Sequence, residues 1–125
     1  MFPSLTKLHF ALLILAFAGA SSAGAQTHLF EGSGKPNRGA ALILEKGCGA
    51  CHNIPGISNA DGVVGPPLDH MGRRVFVAGM LHNTPENLAA WILDPQRIVP
   101  GNAMPSVGLS ALEAMDVAAY LETLR

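Results

Sequence analysis

The chain of 125 residues contains two cysteines, and both fall in one pentapeptide, Cys48-Gly49-Ala50-Cys51-His52. Thiols and an imidazole at this spacing can do three kinds of chemistry. A Cys-x-x-Cys pair can cycle between dithiol and disulfide, but thioredoxin-like sites carry it within a βαβ pattern. No such pattern surrounds residue 48. Two Cys and one His can supply three of the four ligands of a zinc ion, yet no second Cys/His cluster at finger spacing stands in the chain to complete the set. The third chemistry is covalent haem attachment, for which Cys-x-x-Cys-His is the signature. Thiols three positions apart lie on one side of a helical turn. Each can add to one haem vinyl group, and His52 is then carried under the ring with an imidazole nitrogen available to the iron. Gly49 and Ala50 are small, which lets the backbone approach the porphyrin edge. The third chemistry is favoured.

Attachment leaves the second axial position of the iron to be filled by His, by Met or by nothing. The candidates are His28, His70, His82, Met71, Met80, Met104 and Met115. Met115 sits in a helical pattern and reads as core. His70 and Met71 follow a Pro-rich loop. Met104 stands in Val99-Pro100-Gly101-Asn102-Ala103-Met104-Pro105, a turn-like segment between two helical patterns that can lay a thioether across the ring.

The elements that must position these groups read as three helices joined by long loops. The first is expected from Asn37, an acceptable N-cap, through Ala40 to Leu44, with Gly47 as its stop. Residues 53–69 hold three Pro and three Gly and read as a loop. Residues 73–80 are expected to form a short extended stretch, and no sheet is expected. The second helix is expected over residues 84–93. Thr84 caps it, Pro85 takes the first helical position, and Glu86 sits in the first turn where the dipole favours a negative charge. Leu88, Trp91 and Ile92 share a face, and Pro95 is expected to end the helix. The third helix opens on Ser110-Ala111-Leu112-Glu113, the capping-box pattern, and continues with Val117, Tyr120, Leu121 and Leu124 at i, i+3, i+4, i+7. Long irregular loops in a compact domain are usually functional; here they would wrap a haem.

Composition fits this reading. Residues 8–20 carry no acidic group, Lys7 precedes them, and Ala23-Gly24-Ala25 follows. A basic start, a short apolar run and a small-x-small site describe a secretory signal cleaved after Ala25. An uncleaved membrane anchor is the alternative. The expected organisation is therefore a signal over 1–25, a loose lead-in over 26–36 and one domain over 37–125. The part after Ala25 has seven Lys/Arg, nine Asp/Glu and a formal charge of −2. It contains no basic block, which argues against nucleic acid as a partner. It has only four large aromatic residues, Phe30, Phe76, Trp91 and Tyr120. A chain so short of core-filling groups gains from a large apolar cofactor at its centre.

Three segments in order, Cys48 to His52, Gly65-Pro66-Pro67-Leu68 and Pro100 to Pro105, resemble those of class I, mono-haem bacterial cytochromes c. The resemblance covers nearly all of residues 37–125. It implies an all-α cytochrome c fold, with three main helices and long loops wrapped around one covalently bound haem c. The first and last helices would cross, with Gly39, Ile43 and Tyr120 at the crossing. The resemblance also implies that Cys48 and Cys51 hold the haem, that His52 and Met104 are the axial iron ligands, and that the Pro66 carbonyl accepts from the His52 ring N–H. Arg73 or Arg74 and Asn102 would meet the propionates, and Trp91 would pack against the ring near the Met. The implied role is one-electron transfer in the periplasm between respiratory or other redox proteins, with transient docking and no substrate chemistry at the iron. The expected docking edge is lined by Gly49, Ala50 and the Met104 loop. A haem-c subunit of a larger oxidoreductase, and a haem enzyme or gas sensor with an open distal site, remain alternatives. The lysine-rich face of mitochondrial relatives is absent.

Overall fold

The structure is a computed structural model and describes residues 33–125. The expected signal (1–25), most of the lead-in and His28 lie outside the described residues. Among those described are four α-helices: α1 (Pro36–Glu45), α2 (Pro85–Leu93), α3 (Pro95–Ile98) and α4 (Ala111–Glu122). Two 3₁₀ turns, Cys48–Ala50 and Met71–Arg73, and a two-stranded antiparallel ribbon, β1 (Phe76–Val77) with β2 (Leu81–His82), complete them. None of these helices is long and apolar enough to cross a membrane.

Local chemistry accounts for most boundaries. Pro36 opens α1 with Lys35 as the N-cap, not Asn37 as the sequence suggested. The proline ring presets helical φ at a position whose N–H needs no partner, and this outweighs the capping preference of Asn37. Lys35 has no side-chain cap; its own N–H donates to Asp116 Oδ1 at 2.7 Å. The helix stops where Gly47 adopts φ +70, a left-handed conformation that glycine takes without steric cost. Thr84 caps α2 by accepting from the Asn87 N–H. Pro95 ends α2 as expected, but it also starts a further single-turn helix, α3, which corrects the expected three helices to four. Asp94, held at φ −147 by the proline after it, turns its carboxylate onto the Arg97 N–H at 3.2 Å.

The expected extended stretch is a tight hairpin pairing Phe76 with His82 and Val77 with Leu81, so a small sheet exists where none was expected. Its turn places both Ala78 (φ +51) and Gly79 (φ +68) in the left-handed region. Two successive positive φ values match the right-handed strand twist.

At α4 the capping box forms in full: Ser110 Oγ accepts from the Glu113 N–H, and the Glu113 carboxylate accepts from the Ser110 N–H at 2.9 Å. The Ser110 N–H, and after it the Ser110 hydroxyl donating to the same carboxylate at 3.0 Å, hold the Glu113 carboxyl below its usual range, with the nearby cations Lys46 and Arg38 adding to the effect. A carboxylate with a lowered folded pKa stabilises the fold above its unfolded pKa. That contribution disappears as pH falls through the folded value. Separately, Ser110→Ala removes the N-cap side chain and is expected to cost about 1 kcal/mol, a drop in Tm of about 5 °C for a domain of this size, followed by thermal melts at neutral pH. In the variant the loss of stability on acidification should also be shallower.

The core forms where α4 crosses α1 and α2. Leu42 and Ile43 of α1, Leu88, Ala89 and Ile92 of α2, and Ala114, Met115, Val117, Ala118 and Leu121 of α4 are buried in it. The α1–α4 crossing is close because Gly39 has no side chain. A Cβ there would run into the Asp116 backbone carbonyl and come within 3.1 Å of Tyr120 Cβ. Arg38 adds an ion pair to Asp116 at 3.0 Å on the same edge. Tyr120 reaches the other way, donating its hydroxyl to the Pro55 carbonyl at 2.8 Å, which ties the long loop to α4.

Candidate functional site

The segment Cys48–His52 follows α1 directly. Gly47 reverses the chain, and Cys48–Ala50 makes one 3₁₀ turn, with the His52 N–H donating to Cys48 O at 3.0 Å. The turn is held from outside by the loop after it. Gly62 N–H donates to Gly49 O at 3.0 Å, and Gly65 N–H donates to Cys51 O at 2.7 Å. A Cβ at Gly62 would collide with the backbone of Ala50 and Cys51, and one at Gly65 with the His52 ring. Glycines therefore let this loop lie flat on the turn and on the imidazole. Gly49 is packed closely by the same loop. A Cβ there would meet Ala60 at 2.6–2.7 Å, and neither Gly49 nor Ala50 lines the central cavity. The small residue accommodates the protein's own loop.

The ring of His52 is oriented by Pro66, whose carbonyl oxygen lies 2.8 Å from Nδ1. A carbonyl can only accept, so Nδ1 carries the proton and the Nε2 lone pair is left for a metal. No disulfide joins Cys48 to Cys51. Burial pushes the Cys48 thiol up from its ordinary value; its own backbone partly offsets this, and neighbouring Cys51 adds a smaller push upward.

Cys48, Cys51 and His52 open onto one cavity of about 430 Å³, within the roughly 300–1,000 Å³ of small-molecule sites. Ile43, Leu88, Trp91, Ile92, Val117 and Leu121 form much of its wall, and Pro66, Leu68, Asn102, Ala103 and Met104 close other parts of it. Of the candidate second ligands, Met104 and Met71 line it, whereas Met80, Met115, His70 and His82 do not. Met71 belongs to the buried core at 4 % exposure, and Met80 is 63 % exposed on the hairpin. Arg74 lines the cavity; its guanidinium donates to the carbonyls of Pro67 and Asp69 and lies 3.5 Å from the Asp69 carboxylate. Arg73, the other arginine the sequence offered for the propionates, is exposed and does not line it. The chain leaves the 3₁₀ turn extended at Arg74.

The Met104 segment is pinned by side chains. Asn102 Oδ1 accepts from the Met104 N–H at 2.8 Å while its Nδ2 donates to Val99 O at 2.7 Å. Gln96 donates to the carbonyls of both Asn102 and Met104 and accepts from Gly101 N–H at 3.0 Å. Asn102 thus braces the backbone at Met104 as well as lining the cavity. Sequence reasoning missed Gln96. Its only signal was an amide side chain just ahead of a Pro-Gly turn whose backbone groups lack helical partners.

These residues fit a haem. Two thiols at attachment spacing, an imidazole with its Nε2 free, a thioether and a guanidinium surround one apolar cavity, and the glycine at 65 makes room for the ring of His52. The competing chemistries find no support. Among the described residues no group of three or more His, Cys, Asp or Glu is arranged to hold a metal ion, and no strand or βαβ unit precedes the cysteine pair.

A family model described as Cytochrome c matches residues 36–125. The chain belongs to the cytochrome c family, with its helical fold and covalently bound haem c. It is 39 % identical over 90 residues to a cytochrome c oxidase subunit 2 of Alkalihalophilus pseudofirmus, an alignment covering 71 % of this chain and 25 % of that protein. It is 36 % identical over 92 residues to the cytochrome c oxidase subunit 2 of Bacillus subtilis, covering 70 % of this chain and 26 % of the relative. A cytochrome c-type cyt cy of Rhodobacter capsulatus is 34 % identical over 90 residues, covering 65 % of this chain and 45 % of the relative. The chain thus spans about a quarter of the oxidase subunits and under half of the third protein. The family match makes this chain a haem-c electron-carrier domain.

Proposed function

We propose that this domain carries single electrons between redox proteins outside the cytoplasm, with its haem attached through Cys48 and Cys51 and ligated by His52 and Met104. When bound, the haem supplies reversible Fe(II)/Fe(III) exchange. The residues of the chain orient, shield and tune. Pro66 fixes the tautomer and the plane of His52 and makes it more electron-rich. Asn102 and Gln96 hold the Met104 backbone, which limits reorganisation between oxidation states. Trp91 and the aliphatic walls exclude water, and Arg74 offers a cation to the propionates. The observation that carries the reading is that His52, with Nε2 free, and the braced Met104 line one apolar cavity. Met71 lines it too, but as a packed core residue.

With the iron held by both His52 and Met104, the haem would leave no site for substrate or gas. The test is an absorption spectrum of the oxidised, reduced and CO-treated protein. Expected are a reduced form unchanged by CO and, in the oxidised form, the weak near-infrared band of an Fe–S(Met) bond. A reduced form that binds CO would instead establish a haem enzyme or gas sensor. The proposed organisation is an export signal over 1–25 cleaved after Ala25, or retained as an anchor, then a lead-in over 26–36 and the carrier domain over 37–125. A respiratory oxidase or dehydrogenase is the proposed class of partner. A second arrangement, permanent docking in a larger oxidoreductase, is favoured by the likeness to oxidase subunits. Native size in extracts separates it from a free shuttle.

A further inference from the structure

Asn83 lies outside the cavity lining and donates three hydrogen bonds, all to one short segment. Its backbone N–H donates to Val75 O at 2.9 Å. Its side-chain Nδ2 donates to Met71 O at 2.7 Å and to Arg74 O at 3.0 Å. Those two acceptors fix the orientation of the amide, because a flipped amide would set its oxygen against both carbonyls. The oxygen, Oδ1, is buried without a partner. An unpaired buried acceptor destabilises a fold, yet both amide donors are engaged, so the residue specifies the geometry of this turn more than it adds to stability. From the other side α4 anchors the same turn: Gly72 N–H donates to Leu124 O at 2.9 Å, and a Cβ at Gly72 would collide with Glu122 O.

This turn delivers Arg74. Its backbone leaves extended, and its Nη2 donates to the carbonyls of Pro67 and Asp69. Pro67 follows the residue whose carbonyl orients His52. Backbone N–H groups tie the loop only on either side of the two prolines, Gly65 to Cys51 O at 2.7 Å and Leu68 to Asn53 O at 2.9 Å. Pro66 and Pro67 themselves have no N–H. The tilt of their peptide planes therefore depends on what donates to their carbonyls. His52 Nδ1 donates to one and Arg74 to the other.

We infer that Asn83 is a positioning residue for the axial histidine, acting through Arg74 and the Pro66–Pro67 carbonyls. The inference rests on the electron-transfer reading above, in which His52 ligates the iron. Asn83 fixes the backbone from which Arg74 reaches. Arg74 fixes the Pro67 carbonyl, and this keeps the Pro66 carbonyl in line with the His52 N–H. An imidazole ligand held by a well-aligned acceptor keeps its plane and is more electron-rich. Arg74 then has two roles: Nη2 serves the loop, while Nε and Nη1 are left for a propionate.

The test uses haem-loaded, reduced protein, in which NMR follows the His52 Nδ1 proton. Asn83→Ala should move its resonance upfield, as a weakened hydrogen bond does, and speed its exchange with deuterium by about tenfold. Arg74→Lys keeps the cation but loses the fork across two carbonyls, and it should do the same. The double variant should exceed either single one by less than about twofold, because the two residues act in series. Asn87→Ala, which loses a bond to His82 O instead, should leave the resonance in place. Asn83→Ser keeps one donor, is expected to give a smaller shift, and carries the test where the alanine variant does not hold its haem. An Asn83 variant that melts earlier but keeps the wild-type resonance has lost only stability, and that result overturns the proposal. So does an equal shift in Asn87→Ala. CO binding by the reduced wild type, with the Nδ1 proton still responding to Asn83→Ala, overturns the electron-transfer reading and leaves the positioning role standing.

Discussion

Met104→Ala lowers the midpoint potential of the haem-loaded protein by on the order of 0.1 V or more, within the roughly 0.8 V over which axial ligands move haem potentials. A thioether is a soft donor that favours Fe(II). Its loss leaves either water or an empty position, and both shift the balance towards Fe(III). Two further changes should accompany the drop. The near-infrared band of the oxidised protein disappears, and the reduced protein gains CO binding. Covalent attachment should be untouched, because Cys48, Cys51 and the His52–Pro66 bond belong to a different segment. The experiment also decides between the two methionines that line the cavity. Met71 is buried against the core, so Met71→Ala should cost stability, about 2–5 kcal/mol for a core Met, and leave the near-infrared band in place. If the potential holds in Met104→Ala and the band is lost in Met71→Ala, the ligand assignment is wrong.

Met104 also shows how much of the site could be read from the residue order. What was legible rests on short-range rules. The cysteine pair with its histidine, the left-handed stop at Gly47, the cap at Thr84 and the box at Ser110–Glu113 are each settled within a few residues, so sequence alone exposes them. Where two local rules compete, reading is harder. Asn37 is a good cap, but Pro36 one residue earlier commits the chain to helix first. Pro95 both stops one helix and starts another, and the carboxylate of Asp94 is the only sign of the second role. The hairpin at Phe76–His82 is too short to display alternation. Other features depend on distance in space. Glycine at 49 has Ala60 packed against it. Arg74, and not Arg73, lines the cavity. Gln96 braces Met104 across a loop whose shape no periodicity announces.

Gly39 is the position where a single atom should do most damage to the fold. Glycine within a helix costs about 1 kcal/mol relative to alanine, so on propensity alone Gly39→Ala should stabilise α1. The crossing dictates the opposite sign. A Cβ would collide with the backbone carbonyl of Asp116 and press on Tyr120 Cβ at 3.1 Å, and neither contact is the far end of a flexible side chain. The helices must separate, which weakens the pairing of Arg38 and Lys35 with Asp116 and opens the core around Ile43. We expect Gly39→Ala to lose about 1–3 kcal/mol, as overpacking does, and Gly39→Val to lose more. A domain with about 5–15 kcal/mol in total could then fail to hold its fold at growth temperature. The damage should also reach the cofactor site. Val117 and Leu121, each one residue beyond the contacts of Gly39, line the haem cavity, so displacing α4 moves that wall. Denaturant titration of the haem-loaded variants, followed at once by the Soret band and by far-UV circular dichroism, tests both parts. The midpoint should fall in the order wild type, Ala, Val, with the two signals moving together. A Gly39→Ala protein more stable than wild type would show that helix propensity governs this position and that the crossing is looser than the structure places it.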